Sequence, residues 1–358
     1  MILFSSFYGG IINGFHLPSI MYAGRLIAMI ISSFVIGVIL YEKYKNSFRE
    51  MANYFIKLYV WNVLLGMVIY VLFPSSPDFW MFLSYFGVVF HGDPHSGRFV
   101  SLYFDPNFYG AIGSFPFLLS LSVYRNTGEK KDLWTLCLFI IAIFLTLSRS
   151  GITTFAFVVG WIIFQRFLKT DSFFVRSRML WLLLGSGVFL GVFFAFRLEQ
   201  AAFFIERFIS MKDDVSALGR WHSFLCGLEV LRDHPILGVG YEYLRSIGVK
   251  FTAIDSSVLS TFVFWGVPTS VAFFSWVGFW LLQSFRKVDQ VKRYFSEFSV
   301  FYKNMIFYVF VCIVFSSQFN NLLYYQFWFM PILVMFSYMS CFLKGISRTS
   351  QALAASTL

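Results

Sequence analysis

Charge is scarce in this sequence. Asp, Glu, Lys and Arg make up 13% of its 358 residues, and Asp plus Glu number only 18. A soluble chain carries about a quarter of its residues as charges, so water is not the main solvent here. The sequence has no G-x-x-x-x-G-K-[ST] loop, which removes the phosphate cradle of an ATP-driven pump. His16, His91 and His95 are too scattered for metal-ligand spacing, so no metal is expected. Of four cysteines, Cys137, Cys312 and Cys341 lie inside apolar runs, which argues against a disulfide framework. Internal repeats, low-complexity tracts and coiled-coil heptads are missing as well. Met1 to Gly14 lacks the basic start and small-residue cleavage site of a removable signal peptide and reads instead as a short first span.

What is present is apolar. Hydrophobic residues reach 58%, with 50 Phe, 19 Tyr and 10 Trp, more greasy surface than a soluble core can bury. Crossing a bilayer takes about 20 apolar residues in helical form. Suitable runs lie near 19–40, 53–73, 108–124, 133–147, 152–168, 179–196, 258–282, 301–318 and 325–343, with residues 1–14 as a tenth. The expectation is an all-α, polytopic integral membrane bundle of about nine or ten transmembrane helices, forming one domain over residues 1–358.

A net charge of +10 does not imply nucleic acid, because the cations fall in short clusters between the apolar runs. Lys43, Lys45 and Arg49 form one; Arg125, Lys130 and Lys131 another; the rest sit at 166–178, 286–293 and 344–348. The positive-inside rule makes these cytoplasmic loops, and membrane lipid, not nucleic acid, is the expected surroundings. Two outer segments are then long enough to build a site, 74–107 and 197–257. The second is expected to be largely helical, with helices over 199–210 and 217–232, the latter broken by His234-Pro235.

Several charges stand where they are costly. Arg25 sits near the outer end of its helix, where it either snorkels or holds an anion. Arg149 belongs to Leu147-Ser148-Arg149-Ser150-Gly151, an outward turn with almost no loop, and either pairs with lipid phosphate or clamps an anionic substrate. Asp105, ahead of Pro106 and Asn107, is placed to cap a helix; Arg98 has no capping role to account for it. Arg220 and His222 lie on an otherwise amphipathic helix, where each either belongs to the wet face or serves a site, and Asp255 precedes the next span as a cap or a working carboxylate. In this topology Arg98, Arg149 and Arg220 share one side of the membrane, a candidate site for a pyrophosphate that planar guanidinium groups would grip and stabilise as a leaving group.

At these residues the sequence resembles the O-antigen polymerase and ligase superfamily of bacterial envelope glycosyltransferases, the Wzy/WaaL-like proteins. The likeness rests on Arg98 to Asn107 with its Asp-Pro-Asn end, on Leu147 to Gly151, and on Arg220 to Gly240 with its closing Pro-x-x-Gly-x-Gly, followed by Trp265-Gly266-Val267. It covers about residues 95 to 285. The resemblance implies a GT-C-like enzyme at the outer face of the bacterial inner membrane. Its donor and acceptor would be oligosaccharides on undecaprenyl pyrophosphate, with a chain-length regulator protein as a further partner and no cofactor. Ligases of the family carry a His-Asn pair before the span that follows the long loop, where this sequence has Asp255-Ser256, and that favours the polymerase. Arg98, Arg149, Arg220 and Arg25 would bind pyrophosphate. Asp255, with Arg149 and Arg220, would carry the chemistry, and Asp105, Asn107, His234, Tyr241 and Glu242 are further candidates. The alternatives are a ligase acting on lipid A core, a flippase for lipid-linked sugars, and a scaffolding membrane protein.

Overall fold

The computed structural model describes residues 2–14, 16–45, 47–88, 95–103, 105–167, 215–241, 243, 254–292 and 296–356. Apart from an isolated bridge between Ser75 and Ser96, the regular elements among the described residues are helices. In chain order they are α1 (Ile2–Asn13), α2 (Leu17–Tyr44), α3 (Phe48–Leu72), α4 (Ser76–Ser84), α5 (Pro106–Ile112), α6 (Ser114–Thr127), α7 (Lys130–Leu145), α8 (Arg149–Phe167), α9 (Val215–Asp233), α10 (Ser257–Lys292), α11 (Ser296–Val314) and α12 (Gln326–Ser356). Among the described residues five helical stretches are long and apolar enough to cross a membrane: α2, α3, Ser257–Val288, Phe298–Gln318 and Gln326–Gly345. The chain is an all-α, multi-pass membrane protein. The runs at 133–147 and 152–168 are α7 and α8, and the run at 108–124 is divided at Gly113 into α5 and α6. Pro116 explains the division, since it offers no N–H to the carbonyl of Ile112 four residues earlier. The span expected at 179–196 and the helix expected at 199–210 lie outside the described residues.

The chain divides into two compact units. The first comprises Met1–Met51, Leu218–Ser299 and Ser317–Leu358. In it α2 packs on α12: a Cβ on Gly37 would fall 2.5 Å from the Cβ of Ser337, and the Ser337 hydroxyl donates to the Phe34 carbonyl at 2.8 Å. Aromatic rings fill the far end, with Phe298 at 4.8 Å from Phe48 and 5.5 Å from Phe342.

The central feature of this unit is a break inside α10. Gly266 leaves helical geometry with φ 75 and ψ 169, and Pro268 follows within the helix. Proline cannot donate to the carbonyl four residues back, and its ring would collide with it. The carbonyls of Val263 and Phe264 are therefore freed in the buried core of this unit, where water does not satisfy them. The stretch after α9 takes them up: Val239 N–H donates to Val263 O at 2.9 Å and Gly240 N–H to Phe264 O at 3.1 Å. The Ser5 hydroxyl also donates to Phe264 O at 3.1 Å, and Val267 N–H donates to Pro235 O at 2.8 Å. The Pro235-x-x-Gly238-x-Gly240 motif is thus the patch that re-satisfies a broken helix. Gly238 must be glycine on two counts, since its φ is 69 and a Cβ would sit 2.4 Å from Val263 O.

The second unit comprises Ala52–Ala217 and Val300–Ser316. Here α5 and α8 cross backbone to backbone at two glycines, and a Cβ on Gly151 would lie 2.5 Å from Gly110 Cα. Phe117 and Phe155 meet edge to face at 4.9 Å, and the Tyr308 hydroxyl donates to the Ala111 carbonyl at 3.0 Å. These contacts fix the α7–α8 turn against the start of α5.

Candidate active site

In the second unit, segment 95–107 and the α7–α8 turn form one polar group. Helix α7 ends with carbonyls that have no intrahelical donor. Phe99 N–H donates to Leu145 O at 2.9 Å, and Arg98 Nε donates to Thr146 O at 2.9 Å. Arg98 is 6% exposed. Its Nη2 donates to Asn107 Oδ1 at 3.1 Å, and Nη1 lies 3.4 Å from His95 Nδ1. The Ser148 hydroxyl donates to the same Asn107 oxygen at 3.1 Å and accepts from Gly151 N–H at 3.2 Å, which caps α8. The turn between α7 and α8 is three residues long, and its middle residue, Leu147, is held at φ 50. A left-handed leucine costs roughly 1–2 kcal/mol, and burial of its side chain offsets that. Asp105 accepts from Asn107 N–H at 2.6 Å with Pro106 beginning α5, so it caps that helix. Burial raises the Tyr103 phenol well above its ordinary pKa, which keeps it protonated. Arg149, the first residue of α8, is half-buried.

In the first unit, α9 turns its Ser223 and Gly227 face to the start of α10. A Cβ on Gly227 would come 2.7 Å from Leu259 Cδ2, and Asp255 N–H donates to Ser223 Oγ at 3.2 Å. Arg220 lies three residues before Ser223, on the same face of the helix, so this packing directs its turn of α9 towards Asp255. Arg220 and Asp255 are both half-buried. Ser256, not Asp255, caps α10, accepting from Leu259 N–H at 3.1 Å. Losing that cap in Ser256→Ala should cost about 1 kcal/mol and lower the thermal melting point of the purified protein by a few degrees; an unchanged melt would show that the cap is not needed.

The connector between α11 and α12 holds this turn from the other side. Gln318 Oε1 accepts from the Ser256 hydroxyl at 3.2 Å, Ser257 Oγ donates to Asn320 O at 3.1 Å, and Leu323 N–H donates to Ser257 Oγ at 3.3 Å. Tyr324 shares a 2.7 Å hydroxyl contact with Thr261. Sequence reasoning passed over this connector, although the uncharged polar run Ser316-Ser317-Gln318 and Asn320-Asn321 between two apolar spans was a readable signal.

The remaining expected site residues are placed as follows. Arg25 is exposed on α2, with Nη2 donating to Gln326 Oε1 at 3.0 Å. His234 ends α9 half-buried, its N–H on Val230 O. Tyr241 is buried, with its ring 5.4 Å from Phe264 and 5.7 Å from Tyr324. Glu242 lies outside the described residues. The second unit therefore groups Arg98, Asp105 and Asn107 with the turn that leads into Arg149, and in the first unit Asp255 is held by its N–H on Ser223, three residues after Arg220 on α9. Among the described residues no three His, Cys, Asp or Glu side chains gather as metal ligands.

Residues 134–274 match the family model Wzy_C, O-antigen ligase. The resemblance to the Wzy/WaaL-like superfamily is borne out over this stretch, which takes in the α7–α8 turn, α9, the Pro-x-x-Gly-x-Gly patch and the α10 break. No curated protein and no solved structure matches the chain. The Wzy_C match supports, at family level, a membrane glycosyltransferase of the O-antigen ligase and polymerase type. Arg149, Arg220, His234, Tyr241, Glu242 and Asp255 fall inside the Wzy_C stretch, whereas Arg25, Arg98, Asp105 and Asn107 precede it.

Proposed function

We propose that the chain is a surface-polysaccharide polymerase of GT-C-like architecture, joining undecaprenyl-pyrophosphate-linked repeat units at the outer face of the bacterial inner membrane. The observation that carries this reading is that the family match contains both the Leu147-to-Gly151 turn and the α9–α10 packing in which Asp255 N–H binds Ser223, three residues after Arg220. In the reaction a hydroxyl of one lipid-linked unit attacks the anomeric carbon of another. The bond from that carbon to the pyrophosphate oxygen breaks, and undecaprenyl pyrophosphate leaves. Asp255 takes the hydroxyl proton, and such general-base help contributes about 100- to 10,000-fold. Arg149 and Arg220 are assigned to the diphosphate, whose developing charge a guanidinium stabilises. No metal is called for in this scheme.

Asp255→Asn keeps the backbone N–H that binds Ser223 but loses the base. In a strain lacking the native gene, it should shorten the ladder of chain lengths on a gel while single-unit caps persist. A ladder of full length would remove Asp255 from the mechanism. The description of the matching family favours a second reading, the ligase that transfers finished chains to lipid A core. Deletion separates them, because loss of a ligase leaves undecaprenyl-linked polymer and loss of a polymerase leaves one-unit caps.

A further inference from the structure

The connector between α11 and α12 carries more hydrogen-bonding capacity than its own fold uses. Ser257 ties it to the start of α10: its hydroxyl lies 3.3 Å from the Ser317 carbonyl and 3.1 Å from the Asn320 carbonyl as donor, and accepts from Leu323 N–H at 3.3 Å. Tyr324 adds its contact with Thr261. Gln318 takes no part in those ties. It is half-buried, and its Oε1 accepts from the Ser256 hydroxyl, which leaves both amide protons on Nε2 without an acceptor among the described residues. In the same connector Ser317 Oγ and Asn321 Oδ1 are buried, again with no hydrogen-bond partner among the described residues. Native proteins leave few buried groups unmatched, and those they do leave call for a cause.

Charge narrows the ligand. The sequence has no Asp, Glu, Lys or Arg from Asn304 to Leu343, so the connector itself offers hydroxyls and carboxamides. Those groups match sugar hydroxyls, which both donate and accept, whereas a phosphate is drawn to guanidinium groups. Position narrows it further. Ser256, which Gln318 holds, directly follows Asp255, and the backbone there is fixed by Asp255 N–H on Ser223 and by the Ser260 hydroxyl on Ile254 O at 3.2 Å. We infer that the connector is the subsite for an uncharged acceptor sugar, and that the Gln318 amide donates to a hydroxyl next to the one Asp255 deprotonates. The inference rests on Asp255 as the base of the proposed transfer and deepens that reading by naming a residue that selects the acceptor.

Gln318→Met tests it, since methionine matches glutamine in length and has no amide. The probe is the repeat-unit oligosaccharide freed by mild acid from the strain's own lipid carrier, titrated into purified full-length protein in detergent. With the Ser257 ties intact, the variant should melt within a few degrees of wild type. Its affinity for the oligosaccharide should fall about tenfold, as expected for the loss of one or two hydrogen bonds. In a transfer assay the KM for this acceptor should rise by the same factor, while the KM for the lipid-linked donor, the pH profile of kcat and inhibition by inorganic pyrophosphate hold. Undiminished oligosaccharide binding would overturn the assignment. So would a shifted pH profile with an unchanged acceptor KM, which would make Gln318 a support for Asp255, or a melt lowered by many degrees, which would make it a strut of the connector. Polymer formation by the wild type reads the proposed function separately. A wild type that polymerises beside a Gln318→Met protein that binds normally removes the subsite and keeps the polymerase. A wild type that makes no polymer, yet binds the oligosaccharide through Gln318, removes the polymerase and keeps the subsite.

Discussion

Gly266→Ala should leave little folded protein. The residue sits at φ 75 and ψ 169, a region that non-glycine residues enter at a cost of order 1–3 kcal/mol. The larger penalty is contact, since a Cβ there would lie 2.0 Å from Ile236 O and 2.3 Å from Ile236 C. Those are backbone atoms held in place by Val267 N–H on Pro235 O and by Val239 N–H on Val263 O, so nothing flexible can move aside. Relief would require residues 235–240 to lift from α10, and each buried carbonyl then stripped of its donor would cost several kcal/mol. Gly278 on the same helix is the control. A Cβ there meets nothing within 4 Å, and Gly278→Ala should be neutral or stabilise by up to about 1 kcal/mol. Detergent-extracted yield, size-exclusion profile and thermal melt read both variants. Two curves that superpose would mean that the loop-to-helix dock does not hold the first unit together.

The same region shows which parts of the fold were legible in the sequence. Helix positions followed directly from apolar runs, because a bilayer forces backbone groups to pair within the segment. The run at 258–282 reads as one span although Gly266-Val267-Pro268 stands inside it. A proline in a span is compatible with a kink or a full break, and the choice is made by a distant partner, here residues 235–240, that local pattern does not reveal. Asp105 was readable as a cap because the Asp-Pro sequence encodes the geometry locally. The opposite case is Arg98, which looked like a binding arginine because no local role accounted for it. Beyond nearby His95, it donates to Thr146 and Asn107, 48 and 9 residues away, and the packing of segment 95–100 on the end of α7 brings these together. For Asp255 the sequence leaves a cap and a working carboxylate both open, and the cap is Ser256, a one-residue difference at a helix start that sequence resolves poorly.

Arg98 and Arg149 should part company when each is mutated. Arg98 is 6% exposed and its guanidinium spans two acceptors, with Nε on the Thr146 carbonyl and Nη2 on Asn107 Oδ1. Removing it leaves a helix-terminal carbonyl buried without that donor, and hydrogen bonds to charged groups are worth about 1.5–3 kcal/mol each. Arg98→Ala should therefore lose roughly 3 kcal/mol of stability, seen as a melting point lowered by many degrees. Arg98→Lys should recover little of it, since an ammonium cannot reach both acceptors in the plane a guanidinium spans. Arg149 is half-exposed at the first position of α8, where Ser148 supplies the cap and Arg98 ties the end of α7. Arg149→Ala should melt close to wild type and yet lower the rate of polymer formation by about 100-fold or more, the usual effect of removing one group that stabilises developing charge. A destabilised Arg149→Ala, or one that melts and polymerises like wild type, would take the pyrophosphate role from this residue. An Arg98→Ala protein that keeps its melting point and loses activity would give that role to Arg98 instead.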